Sequence, residues 1–122
     1  MYRSPFEARL AKQMEEAGVA FKYEEVKLKY TIPATDKTYH PDFQLPNGIL
    51  VEAKGLWEAA DRKKIQLVIE QNPGIDLRIV FMRPETRIYP GSKTTYAAWC
   101  DEHNIKWAAR AIPPAWLKET RS

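Results

Sequence analysis

The sequence predicts a single α/β domain, and three observations carry that prediction. Segments with the 3.6-residue apolar period of a helix alternate along the chain with short segments of period two. The run LRIVF at 77–81 is β-rich, as befits a central strand. No repeat, low-complexity tract or linker divides the 122 residues, a length that buries roughly two-thirds of the unfolded surface around one core.

Ser4-Pro5-Phe6-Glu7 opens the first helix. Ser is a preferred N-cap, Pro suits the first helical position, and Glu three residues after the cap completes a capping-box pattern. Phe6, Leu10, Met14 and Ala17 then share a face, and Gly18 is placed to end the helix. Over 20–32 the pattern changes to alternation. Phe21 and Tyr23 keep one phase, and Val26, Leu28, Tyr30 and Ile32 keep the other. The slip at Glu24-Glu25 predicts a bulge or a break between two short strands. Residues 33–37 read as a connector or bridge, because Pro33 has no amide to give a ladder.

A hairpin follows at 41–54, PDFQLPNGILVEAK, turning at Asn47-Gly48, where both residues tolerate positive φ. Residues 56–71 are predicted helical and are stopped by Pro73-Gly74. After the 77–81 strand come a short strand at 87–89, a helix at 95–103, a strand at 105–108 and a terminal helical turn at 113–118.

The hairpin carries the chemistry. Side chains alternate across a strand, so Leu50, Glu52 and Lys54 share one face while Ile49, Val51 and Ala53 form an apolar opposite face. The turn folds the Asp42 arm back beside Glu52, so two carboxylates and an ammonium group meet. Hard divalent cations take carboxylate oxygens, water and substrate phosphate. A compact cation such as Lys54 orients an attacking water or stabilises transition-state charge. The bland alternative is a surface hairpin whose Glu and Lys are merely solvated, and a lone E-x-K leaves it open. Glu7 has the same ambiguity, since a capping-box side chain explains it on pattern alone. Arg62-Lys63-Lys64 reads either as a solvated helix face or as a phosphate contact, which Lys27, Lys29, Lys37, Arg83, Arg87 and Lys93 would extend.

Composition excludes several classes. Net charge is +3 and pI near 9.0, a modest basic bias and by itself weak evidence for nucleic acid. A single cysteine, Cys100, excludes an intramolecular disulfide framework and reads as a half-buried helix residue, not a nucleophile. His40 and His103, with no spaced cysteines, do not make a zinc site. The tryptophans at 57, 99, 107 and 116 read as packing residues. No apolar run approaches membrane-spanning length and no signal peptide opens the chain, so a soluble protein with no membrane partner is expected.

Asp42…Glu52-Ala53-Lys54 resembles the PD-(D/E)xK nuclease signature. The surrounding text is more specific. FKYEE (21–25), TYHPDFQLPNGILVEAKGLWE (38–58), DRKK (61–64), DLRIVF (76–81) and IPPAWLKE (112–119) resemble the phage endonuclease I family, the Holliday-junction resolvases of T-odd phages. The resemblance runs from about Ser4 to Glu119. It implies a PD-(D/E)xK (restriction-endonuclease-like) core, a mixed sheet flanked by helices, in an intertwined, domain-swapped homodimer. One endonuclease domain would span 1–122, with the inter-protomer bridge near 32–36. The catalytic set it implies is Glu7, Asp42, Glu52 and Lys54. Mg²⁺, for which Mn²⁺ substitutes, would be held as one or two ions per site by Asp42, Glu52, the Ala53 backbone carbonyl and Glu7. Here Glu7 becomes an active-site residue, not a cap. The implied substrate is branched DNA, above all four-way junctions, cut to 5′-phosphate and 3′-hydroxyl ends in the cytoplasm of the infected bacterium. Two readings compete: a non-cleaving junction-binding architectural protein, and a sequence-specific restriction-type nuclease on the same fold.

Overall fold

The computed structural model describes residues 1–32 and 35–120. Helix α1 (Pro5–Glu16) begins as its sequence predicts, with the Glu7 amide donating to Ser4 Oγ at 3.1 Å. It ends in a Schellman motif. Gly18 takes φ 71, its amide reaches the Glu15 carbonyl, and the Val19 amide reaches the Met14 carbonyl. Strand β1 (Lys22–Tyr23) stops where the alternation slips, and Glu24 adopts φ 56. Strands β2 (Leu28–Ile32) and β3 (Thr35–Tyr39) pair antiparallel as a two-stranded sheet. The connector expected over 33–37 is therefore a strand from Thr35 onward, and Pro33 and Ala34 of that expectation lie outside the described residues.

Strands β4 (Phe43–Gln44) and β5 (Leu50–Lys54) form the predicted hairpin, with Phe43 opposite Val51. Its turn is held by Gly48 at φ 92 and by the Leu45 amide on the Ile49 carbonyl at 2.8 Å. Helix α2 (Ala59–Gln71) starts later than the expected residue 56. Trp57 is drawn into the core, where its amide bonds Tyr96 Oη, and the Glu58 amide donates to Asp61 Oδ2 at 3.1 Å, which starts the helix one residue on. Strand β6 (Leu77–Phe81) is wholly buried.

The strand expected at 87–89 is instead one side of a tight loop, with a single bridge between Arg87 and Thr95 across Gly91 at φ 87. Helix α3 (Tyr96–Glu102) follows its Thr95 cap. The next strand begins at Trp107, not at Ile105, as β7 (Trp107–Ala109). Ile105 is committed to ending α3: its amide bonds the Cys100 carbonyl at 2.8 Å beyond Asn104, which takes φ 57. Helix α4 (Pro114–Lys118) closes the chain as predicted.

The main sheet runs β1-β4-β5-β6-β7, antiparallel from β1 to β5 and parallel from β5 to β7. Helices cover both faces. One core joins Phe6, Leu10 and Met14 of α1 and Trp116 of α4 to Phe43, Ile49, Val51 and Val80. The other joins Ile65 and Val68 of α2 and Tyr96 and Cys100 of α3 to Leu50, Ile79 and Phe81, with Tyr30 and Tyr39 of the small sheet. Glu52 and Lys54 share a face with buried Leu50, so the polar half of the hairpin emerges only at the far end of β5. That end receives α1 from one side and α2 from the other.

Candidate active site

Asp42 stands just before β4 and Glu52 in the middle of β5, and the β4–β5 pairing sets them side by side. The Asp42 amide donates to Glu52 Oε1 at 3.2 Å, and the Ala53 amide donates to Asp42 Oδ2 at 2.8 Å. Both carboxylates are buried, at 2% and 5% exposure. Burial, then the Glu52 charge, pushes the Asp42 carboxyl up to about 8 against the opposing pull of the Ala53 amide and Lys54. Burial also raises Glu52, and Lys54 is the strongest influence opposing it. Two adjacent buried acids of this kind are short of positive charge.

The cations present are loosely placed. Lys54 Nζ lies 3.6 Å from Glu52 Oε2 and 3.9 Å from Asp61 Oδ1 of α2. Arg3 reaches in from the N-terminus, its Nη2 3.6 Å from Asp42 Oδ1 and its Nε 2.7 Å from Glu24. Glu7 arrives on the first turn of α1, buried, with its carboxylate turned to the site. Its Oε1 accepts the Arg3 amide at 3.1 Å and the Tyr23 hydroxyl, not the Ser4 amide of a full capping box. The hydroxyl of Tyr23 is pushed up to about 12, by burial first and then by Glu7, so it remains a donor.

Glu7, Glu24 and Asp42 bring carboxylate oxygens within 4.8 Å of one another. Asp42 thus borders two acidic neighbourhoods, Glu52 with Lys54 on one side and Glu7 with Glu24 on the other. The predicted Glu7, Asp42, Glu52 and Lys54 are brought together. Ala53 meets Asp42 through its amide. All donors are oxygens, the set that suits Mg²⁺ or Mn²⁺ and not zinc.

Sequence reasoning missed Glu24, Arg3, Tyr23, Tyr39 and Asp61. One signal was present: the phase slip at Glu24 marks where the backbone turns, and there the Glu24 amide bonds the Asp42 carbonyl at 3.0 Å. The basic run on α2 divides. Arg62 is buried, with Nη1 on the Trp57 carbonyl at 2.8 Å, so it braces the loop that follows β5. Lys63 is exposed, and Lys64 lies over the Tyr39 ring at 5.6 Å. On the opposite flank Arg9, Arg83 and Arg110 line an open cleft of about 510 Å³ beside Met82, whose amide bonds the Lys54 carbonyl. Burial pushes the Cys100 thiol up to about 12, which fits a core residue. Among the described residues no helix is long and apolar enough to cross a membrane.

The family model for phage endonuclease I matches residues 1–122. Endonuclease I of Escherichia phage T7 is 52% identical over 120 residues, covering 98% of this chain and 80% of the relative. Endodeoxyribonuclease 1 of Enterobacteria phage T3 is 46% identical over 120 residues, covering 98% of this chain and 79% of the relative.

Proposed function

The chain belongs to the phage endonuclease I family, and from that premise we propose that it is a divalent-metal-dependent endonuclease that resolves four-way DNA junctions. The observation that carries the reading is the buried Asp42–Glu52 pair, undercompensated by the cations around it. Asp42 and Glu52 would hold the ion with the Ala53 carbonyl, and Glu7 would complete the acidic wall. When bound, Mg²⁺ or Mn²⁺ lowers the pKa of an attacking water and neutralises phosphate charge. Lys54, between Glu52 and Asp61, places an ammonium group where the oxyanion charge grows. Glu7, anchored by Tyr23 and the Arg3 amide, orients water or a second ion on the α1 side. Lys63, Lys64 and the Arg9–Arg83–Arg110 cleft supply cations for the phosphate backbone to either side of the scissile bond.

Resolving a junction requires opposed cuts on two strands, which a twofold homodimer supplies. In our reading the PD-(D/E)xK core is shared by exchange of the N-terminal segment. Glu7 and Tyr23 precede the β2–β3 hairpin, while Asp42, Glu52 and Lys54 follow it, so exchange there would rebuild the same site from two chains. The enzyme would work in the cytoplasm of the infected bacterium.

The deciding experiment is cleavage of labelled four-way junctions of unrelated sequence. Paired nicks near the branch point in Mg²⁺ or Mn²⁺ are expected, with binding but no cutting in Ca²⁺ or chelator. Cutting in excess chelator would reject the metal reading, and cleavage tied to one sequence would favour a restriction-type enzyme. A mixed dimer of Glu7→Gln and Asp42→Asn chains tests the exchange. With exchange, one site takes both lesions and the other none, so the mixed dimer nicks one strand. If it binds a junction and cuts nothing, Glu7 acts within its own chain.

A further inference from the structure

Tyr39 ends β3, three residues before Asp42, and its ring is buried in the core between the main sheet and α2 with Leu50, Trp57 and Ile65. Only 4% of the residue is exposed. Among the described residues, its hydroxyl is one of two buried side-chain polar atoms that complete no hydrogen bond of good geometry, although Glu52 lies within its reach. Leaving such a group unsatisfied costs about 1–3 kcal/mol, and an orphan of this kind in a native fold calls for a reason. The surroundings supply one. The groups acting on this hydroxyl are carboxylates: Glu52 foremost, by its charge and as a hydrogen-bond acceptor, then Asp42 and Asp61. Lys64, over the ring face at 5.6 Å, closes the side toward α2.

Glu52 has two oxygens and several claims on them. Oε1 accepts the Asp42 amide and Oε2 faces Lys54. A ligating carboxylate needs an outer partner to fix its plane, because either oxygen otherwise swings to the cation.

We propose that Tyr39 is the positioning residue of Glu52, completing the hydrogen bond from its hydroxyl to one carboxylate oxygen when a divalent cation draws the other. This rests on the reading that Asp42 and Glu52 hold such a cation. Tyr39 touches neither metal nor DNA, and acts through Glu52 alone. The bond is poorly formed in the metal-free site and tightens on metal binding, which favours the loaded state.

The test is Tyr39→Phe in the full chain, which removes the hydroxyl and keeps the ring. Mn²⁺ is titrated calorimetrically into both proteins without DNA, and thermal unfolding is followed in chelator. Outer partners of metal ligands are typically worth 10–100-fold in affinity, so the variant should bind Mn²⁺ about tenfold more weakly. In chelator its unfolding temperature should be unchanged or higher, since only a poorly formed bond has gone. Junction cleavage should fall at limiting Mn²⁺ and recover at saturating Mn²⁺. Equal Mn²⁺ affinity in the two proteins overturns the assignment. So does a drop of several degrees in chelator, which would make the hydroxyl a structural bond. A wild-type protein that takes up no Mn²⁺ rejects the metal reading itself and this inference with it.

Discussion

Two groups of buried charge sit on neighbouring strands of the same sheet and are treated in opposite ways. Arg78 in β6 is 1% exposed, yet its guanidinium meets Asp76 at 2.9 and 2.8 Å and Glu119 at 2.5 and 2.9 Å. Trp116 covers its face at 5.2 Å. At the other end of β5, Asp42 and Glu52 are as deeply buried, bonded to backbone amides, and each is no closer than 3.6 Å to a cation. The difference shows in their protonation. Hydrogen bonds to Glu119 and Asp76 stabilise the charged form of Arg78, whereas burial of the acid pair favours the proton. A buried charge with a full set of partners ties the chain end to the sheet. A buried charge left short of partners stores a demand for a ligand.

The largest effects should come from removing one charge at each place. Asp42→Asn should lower junction cleavage by on the order of 10³-fold, as for loss of a principal electrostatic group. Its unfolding temperature in chelator should rise, because a neutral amide needs neither burial of charge nor uptake of a proton on folding. Arg78→Met should do the reverse. Loss of a buried ion pair costs about 3–5 kcal/mol. Here Asp76 and Glu119 are 38% and 41% exposed and regain water, so about 2 kcal/mol is expected. Cleavage per folded molecule should persist. Chemical denaturation beside single-turnover cleavage separates the two, and an Asp42→Asn protein less stable than the parent in chelator would contradict the contrast.

A smaller effect is the pH dependence of stability. Asp42 has its ordinary value near 3.8 unfolded and about 8 folded. Between those values the folded chain holds more protons than the unfolded one, so stability falls as pH rises through the window. This is the opposite of the usual salt-bridged aspartate. In chelator the unfolding temperature should drift down from about pH 5 to about pH 8, and Ca²⁺ should flatten the drift by stabilising the charged pair. A profile indifferent to Ca²⁺ would break the comparison. Glu119→Gln should be smallest, a modest loss of stability, since Asp76 still holds Arg78. Its carboxyl is lowered by Arg78, so its contribution stands at neutral pH and is lost as pH falls through the lowered value.

What the sequence determined by itself was local or periodic. Ser4, Pro5 and Gly18 bound α1 because caps are chemistry of a few adjacent residues. Asn47-Gly48 and the alternation after it place Asp42, Glu52 and Lys54 in one hairpin, since register follows from the turn. Where elements compete for a residue, local pattern misled. Trp57 looked helical and was taken by the core, Ile105 looked like strand and serves as the end of α3, and the α2 arginine Arg62 faces inward. The tertiary structure alone decided that Glu7 turns its carboxylate to Asp42 and not to its own helix cap, and that Glu24, Arg3, Tyr39 and Asp61 surround the same point. These residues come from the N-terminal segment, α1, the β1–β2 break, β3 and α2, most of them far apart in the chain. No local spacing encodes their meeting. The burial that raises Asp42 exists only once α1 and α2 close over the end of β5, because desolvation is a property of the packed site and not of any residue in it.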